Sequence, residues 1–207
     1  MIAIINYGSG NVAALMNIFN QHRIPYFLAN KPEELAAADR FLLPGVGAFD
    51  PTMTQLTSSG VLDELTEQVM NRGKRVLGIC VGMHLLGEGS EEGQMAGLGW
   101  IKGFVRKIDT SRLTAPPHLP HMGWNSIDIK ETASLFSGVD PARGFYFLHS
   151  YYFDATVAHT VAATVQYGSE LPCAIESNNI FGVQFHPEKS HSNGVNLLRN
   201  FAELPRC

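Results

Sequence analysis

Three side chains in this sequence have the types and surroundings for nucleophilic attack on a carbonyl carbon. They are Cys80 in "RVLGICVGMHLL" and His186 and Glu188 in "FGVQFHPEKS". Gly78 and Gly82 bracket Cys80 at the end of an apolar run, so the chain can turn sharply from strand into helix there. Such a turn presents the sulfur at the carboxyl end of a sheet, where open α/β folds place their sites. The first turn of the following helix offers free N–H groups and a partial positive charge, which favour thiolate over thiol. The N–H of Val81, the next residue, could donate to an oxyanion. On this stretch alone, a buried structural cysteine fits equally well. Two histidines compete as base. His84 lies four residues after Cys80 but has no carboxylate placed to orient it. His186 ends an apolar strand, and Pro187 biases it to extended backbone, which puts Glu188 on the same side. A carboxylate there can hold an imidazole's tautomer while the ring takes a thiol proton, so the base is assigned to His186.

Other candidates are weaker. Gly45 and Gly47 in "LLPGVGAF" could turn a backbone N–H toward the site. "NYGSGN" lacks the full G-x-G-x-x-G pattern, so an ordinary turn is favoured over a phosphate cradle. His118 and His121, set between prolines, lack further ligands for a metal, and "TAPPHLPHMG" reads as an internal loop.

The elements that must position these residues alternate in the first 87 residues. "IAIIN", "IPYFLA", "RFLLPGVGAF" and "RVLGIC" read as strands, with the third entering a Gly-rich turn; "VAALMNIFNQH" and "KPEELAAAD" read as helices. Val61, Leu62, Leu65 and Val69 share one face of a further helix. This alternation predicts a parallel sheet with helices on both faces. In the second half, "GWIKGFVRKID", "WNSIDI", "GFYFLHSYYF", "VAATVQY", "LPCAIES" and "IFGVQF" follow one another as strands, which predicts antiparallel pairing, before a last helix, "NGVNLLRNFAEL". The simplest account is one mixed-sheet α/β domain over residues 1–207.

Composition bounds the function classes. The chain has 207 residues, 45% hydrophobic and 16% charged, enough for a sizeable core and unlike a disordered chain. A net charge of −4 with no dominant basic patch argues against nucleic acid. Cys80, Cys173 and Cys207 have no zinc or disulfide spacing and suit a reducing compartment. No signal peptide or membrane-length apolar run is present, so a soluble, cytoplasmic protein without membrane contact is expected.

"GICVGMHLL", "HPEKS" and "LPGVGAF" together resemble the class I (triad-type) glutamine amidotransferases. "NYGSGN", "LPGVGAFD", "GSEEG", "PHMGWN", "FYFLHSYY" and "GVQFHPEKS" extend the likeness from residue 2 to about residue 201. Within the class they look like the HisH family, the glutaminase subunits of imidazole glycerol phosphate synthase. The resemblance implies a single-domain, flavodoxin-like mixed sheet with helices on both faces. It also implies hydrolysis of L-glutamine to glutamate and ammonia by a Cys80–His186–Glu188 triad, without metal or organic cofactor. Val81, Val46 and Gly47 match the oxyanion positions, with the Val46 amide turning inward when the synthase partner is engaged. Gly47, Glu92, Ser150 and Tyr151 match positions that bind glutamine, and His84 stands at a pocket position where the family usually has Gln. Asn11, Trp124, Tyr146 and Lys189 match the interface with a (βα)8-barrel, HisF-like cyclase, the heterodimer partner that receives the ammonia for histidine biosynthesis. Three alternatives stay open: a paralogue feeding a barrel partner in amidino-sugar synthesis for surface polysaccharide, a catalytically silent partner subunit, and a thiol peptidase on a similar scaffold.

Overall fold

The computed structural model describes residues 1–113, 116 and 118–205. Cys207 and part of the "TAPPHLPHMG" stretch lie outside the described residues. The first half builds the parallel centre: β1 (Ile2–Ile5), α1 (Val12–His22), β2 (Tyr26–Ala29), α2 (Pro32–Leu35), β3 (Arg40–Gly45), α3 (Phe49–Ser58), α4 (Leu62–Thr66), β4 (Arg75–Cys80) and α5 (Val81–Leu85). The second half supplies β5 (Gly103–Lys107), β6 (His121–Asn125), β7 (Asp128–Ile129), β8 (Phe145–His149), β9 (Tyr151–Ala155), β10 (Val161–Tyr167), β11 (Ser169–Ser177), β12 (Ile180–Val183) and α6 (His191–Glu203). Eight strands form one sheet in the order β2-β1-β3-β4-β12-β11-β10-β7. The pairs from β2 to β12 are parallel, and β11, β10 and β7 add antiparallel pairs. From β1 the chain crosses to β2 on one side and then back over to β3 on the other. Right-handed crossovers therefore put α1 and α2 on opposite faces.

Burial follows this plan. Every residue of β1, β3 and β12 is buried, because strands covered on both faces must be apolar on both. The mixed α/β sheet agrees with the sequence reading, but several boundaries differ. The run "RFLLPGVGAF" is strand only to Gly45; Phe49 already opens α3, a helix not named from the sequence. Phe49, Met53 and Leu56 are its buried apolar residues, and the residues between them are mostly polar. The helix expected from residue 61 to 69 is α4 followed by a π-helical turn, Glu67–Asn71, with Val61, Leu65 and Val69 buried. "KPEELAAAD" yields only one helical turn, started by the Glu34 carboxylate accepting from the Asn30 and Lys31 N–H groups at 2.7 and 3.2 Å.

The largest difference is in "GFYFLHSYYF", which is two strands and not one. The chain breaks at Ser150: β8 pairs with β6 and β9 pairs with β5, making two separate antiparallel ribbons. "WNSIDI" is likewise divided between β6 and β7, which belong to different sheets. Part of the expected loop "TAPPHLPHMG" is strand, since β6 begins at His121. Hydrogen bonds to partner strands decided these cases, and periodicity along one strand cannot report them.

Candidate active site

Parallel register assembles the site at the carboxyl ends of three neighbouring strands. Gly45 of β3 pairs with Cys80 of β4, and Val183 of β12 pairs with Ile79. The loop after Gly45 and the segment after Val183 thus flank the sulfur from both sides. Cys80 itself has φ 55° and ψ −114°, a conformation that L residues rarely adopt. Such strain costs on the order of 1–3 kcal/mol and persists only where the surroundings impose it. Here the surroundings are glycines. A Cβ on Gly82 would lie 1.9 Å from the Leu43 carbonyl oxygen, and one on Gly78 would lie 2.6 Å from the Gly82 carbonyl oxygen. Only bare backbone lets β3, β4 and α5 close this tightly around the elbow.

His186 and Glu188 reach Cys80 from β12. His186 Nδ1 lies 2.9 Å from Glu188 Oε1, and both side chains are almost wholly buried. Strand alternation is not what pairs them: Pro187–Lys189 form a 3-10 turn that folds the carboxylate back onto the ring. Cys80 lies within electrostatic reach of the imidazole, and both line one cleft. Burial pulls its pKa down, but the contacts with Cys80 and Glu188 outweigh burial and push it up to about 10. An imidazole in this setting can take up a proton and hold it beside the carboxylate.

The expected oxyanion donors are only partly in place. Val81 is the first residue of α5, where an N–H has no intrahelical acceptor, and it lines the cleft beside Cys80. Val46 N–H instead donates to Ser9 Oγ at 3.0 Å, and Ser9 Oγ donates back to the Val46 carbonyl at 3.1 Å. "NYGSGN" is therefore a brace on the Gly45–Gly47 loop, a role the sequence did not suggest.

The cleft holds about 370 Å³, and Asn11, Val46, Gly47, Val81, His84, Glu92, Ser150, Tyr151 and Lys189 line it together with Cys80, His186 and Glu188. Glu92 has one oxygen engaged, accepting from the Phe49 N–H at the start of α3 at 2.9 Å. Burial raises its pKa, and that bond to Phe49 opposes the rise. The Ser150–Tyr151 edge is held from behind by a chain of neutral rings. Asn125 Nδ2 donates to His121 Nε2 at 3.3 Å, His121 Nδ1 to His149 Nε2 at 2.9 Å, and His149 Nδ1 to the Tyr151 carbonyl at 2.8 Å. The carbonyl can only accept, so it dictates every tautomer in the chain. Burial lowers the pKa of His121 to about 4 and that of His149 to about 3. His121 is thus committed to this chain, and among the described residues no group of three His, Cys, Asp or Glu is set to hold a metal ion.

A family model described as glutamine amidotransferase class-I matches residues 4–204. The chain belongs to this family. The imidazole glycerol phosphate synthase subunit HisH of Bdellovibrio bacteriovorus is 43% identical to this amidotransferase over 204 residues, covering 99% of this chain and 100% of its own. HisH of Leptospira interrogans is 42% identical with the same coverage. A solved structure described as a glutamine amidotransferase superposes with a TM-score of 0.72 at 17% identity, covering 99% and 98% of the two chains. PurLQS from Thermotoga maritima does so with a TM-score of 0.70 at 15% identity, covering 97% and 96%. These last two speak for the fold.

Two expected site residues of the amidotransferase lie outside the cleft lining, on the β6–β8 ribbon at its rim. Trp124 pairs across the ribbon with Tyr146 and stacks on His191, and Lys189 Nζ sits 5.4 Å from the Tyr146 ring centre. The ribbon's buried residues are His121, Phe145, Phe147 and His149. On it Met122, Trp124 and Leu148 stay exposed, and Val46 at the cleft is exposed too. Met122 and Leu148, directly opposite each other, escaped the sequence reading because the pairing of their two strands is not legible there. Also missed was Gln184, which is fully buried beside Cys80. Among the described residues no helix is long and apolar enough to cross a membrane.

Proposed function

We propose that this chain is the glutaminase subunit of an imidazole glycerol phosphate synthase. It hydrolyses L-glutamine and passes the ammonia to a cyclase subunit in histidine biosynthesis. The observation that carries this reading is the triad at the strained elbow, in a chain that aligns end to end with HisH proteins. In this mechanism Cys80 attacks the side-chain amide carbon while His186 takes its proton. The proton then goes to the departing nitrogen, ammonia leaves, and water deprotonated by His186 releases glutamate from the thioester. Glu188 orients the ring and stabilises its charge. Val81 and the Val46–Gly47 peptide receive the oxyanion, Gly47, Ser150 and Tyr151 hold the glutamine, and Glu92 anchors the wall from which α3 starts.

The partner is a (βα)8-barrel cyclase that seats on Asn11, Trp124, Tyr146 and Lys189 as a heterodimer. The exposed apolar side chains on the ribbon suit such a surface. The brace on Val46 supports partner control, because the amide has to leave Ser9 before it can face the substrate. The test is a glutaminase assay of the chain alone and with candidate barrel subunits, each with its own nucleotide ligand. We expect low turnover alone and a rise of about 10²–10³, the worth of one missing oxyanion donor, with the cyclase. Equal turnover in both conditions would rule out partner control. Failure to complement a histidine auxotroph would exclude the pathway.

A further inference from the structure

Gln184 occupies a place in the site that the triad does not explain. The register of Val183 against Ile79 carries it alongside Cys80, and its own backbone N–H is fixed to the Cys173 carbonyl at 2.9 Å. Its carboxamide is held at both ends. Oε1 lies 2.7 Å from His84 Nε2, and Nε2 faces Cys80 Sγ at 3.9 Å, the long end of N–H···S contact. A carboxamide oxygen only accepts, so the short contact places the ring proton on His84 Nε2. His84 Nδ1 is then an unprotonated acceptor, and it is buried with no hydrogen-bond partner among the described residues. The opposite tautomer would bury an unpaired donor and turn the amide oxygen toward the sulfur. That arrangement repels a thiolate. The first arrangement instead aims an N–H dipole at it from a fully buried carboxamide, where solvent screens the dipole little.

We propose that His84 is a positioning residue acting through Gln184. Its Nε2–H holds the Gln184 carboxamide with the N–H2 group toward Cys80 Sγ, where that group stabilises the thiolate. The spacing of Cys80 and His84 along the chain is thus incidental: the imidazole reaches the sulfur by way of another strand. Other ionisable groups set around Cys80 are Tyr7 from the loop after β1, Glu92, His149 and Tyr151 from β8 and β9, and His186, Glu188 and Lys189 after β12. All are common to the variants compared below.

The inference rests on Cys80 being the nucleophile, so its test uses neither glutamine nor a partner. The rate of Cys80 carbamidomethylation by iodoacetamide is followed by mass spectrometry across pH 5 to 10 in the full chain. Gln184→Met keeps the volume and removes the donor, His84→Leu removes the clamp, and His84→Gln keeps an N–H donor. We expect the pH of half-maximal rate to rise by about 0.5–1 unit in the first two and to stay put in His84→Gln. Unmoved midpoints in Gln184→Met and His84→Leu would overturn the proposal. Imidazole nitrogen chemical shifts of the wild-type chain give a second readout that needs no variant: a proton on His84 Nδ1 overturns it as well. Failure of the nucleophile reading looks different, as full glutamine turnover in Cys80→Ala.

Discussion

At the scale of single residues, two histidines close to one sulfur have opposite electrostatics. The contacts of His186 with Cys80 and Glu188 outweigh its burial and raise its pKa to about 10; burial lowers that of His84 to about 4. The first suits a proton carrier and the second a permanently neutral clamp. We therefore expect His186→Asn to lower glutaminase kcat by about 10³ or more in the assembled complex. His84→Gln should stay within about threefold of wild type, because a carboxamide can also donate to Gln184. Equal losses in the two variants would defeat the assignment. Ser9 supplies the second residue-scale outcome. Ser9→Ala deletes the acceptor that holds the Val46 N–H, so the amide is free to turn. Partner-free turnover should rise about tenfold, toward the value of one restored oxyanion donor. Unchanged turnover in steady-state assays would show that Ser9 is no brake.

At the scale of elements, the elbow trades stability for placing the Cys80 sulfur in the cleft. Strand β4 ends and α5 begins at one residue with positive φ, and glycine is the residue for which that conformation is cheapest. Cys80→Gly should therefore raise unfolding stability by about 1 kcal/mol while abolishing turnover. Urea unfolding measures this, and a less stable variant would mean that the turn holds no strain. The same scale shows where sequence patterns stop being informative. The motifs around Cys80, His186 and Gly45 were legible because local turn chemistry demands those residue types. The break at Ser150 was not legible. Phe145 to Phe153 is one unbroken β-prone run, and only its pairing with β6 and then β5 divides it. Helix α3 was legible and overlooked: Phe49, Met53 and Leu56 follow at steps of four and three residues, the stripe of a helix, just after a run read only as strand and turn.

For the whole molecule, the buried histidines make stability depend on pH from both sides. His84, His121 and His149 stay neutral in the fold down to about 4, 4 and 3, and burial is the largest cause in each. Unfolded, they take up protons near their ordinary value of about 6.5, so the unfolded state binds more protons and stability drops as pH falls from there toward 4. His186 has the opposite sign. Its raised value means the folded state holds the proton, and its contribution is lost as pH climbs from about 6.5 through 10. Stability should thus peak near neutrality, with an acid limb of at most about 1.4 kcal/mol per pH unit for each histidine. Urea titrations at pH 4.5, 6.5 and 9 check the shape. His84→Gln removes one of three acid-side groups and should flatten that limb by about a third. An unchanged slope would mean that His84 is not buried neutral.

The sequence alone determined which residues could be the nucleophile, its base and the base's orienter, and that strand and helix alternate around them. Those properties are local: turn chemistry, a proline, a carboxylate two residues away, and apolar runs with their spacing. Only the tertiary structure decided what each histidine does. His84 turns to Gln184, 100 residues later, and His121 turns to His149 across a ribbon. A buried ring must find its hydrogen-bond partner wherever the packed strands put one, and that location is set by register between distant segments. The opening of the Val46 amide is decided at the same level, because Ser9 and Val46 meet only once β1 and β3 lie side by side.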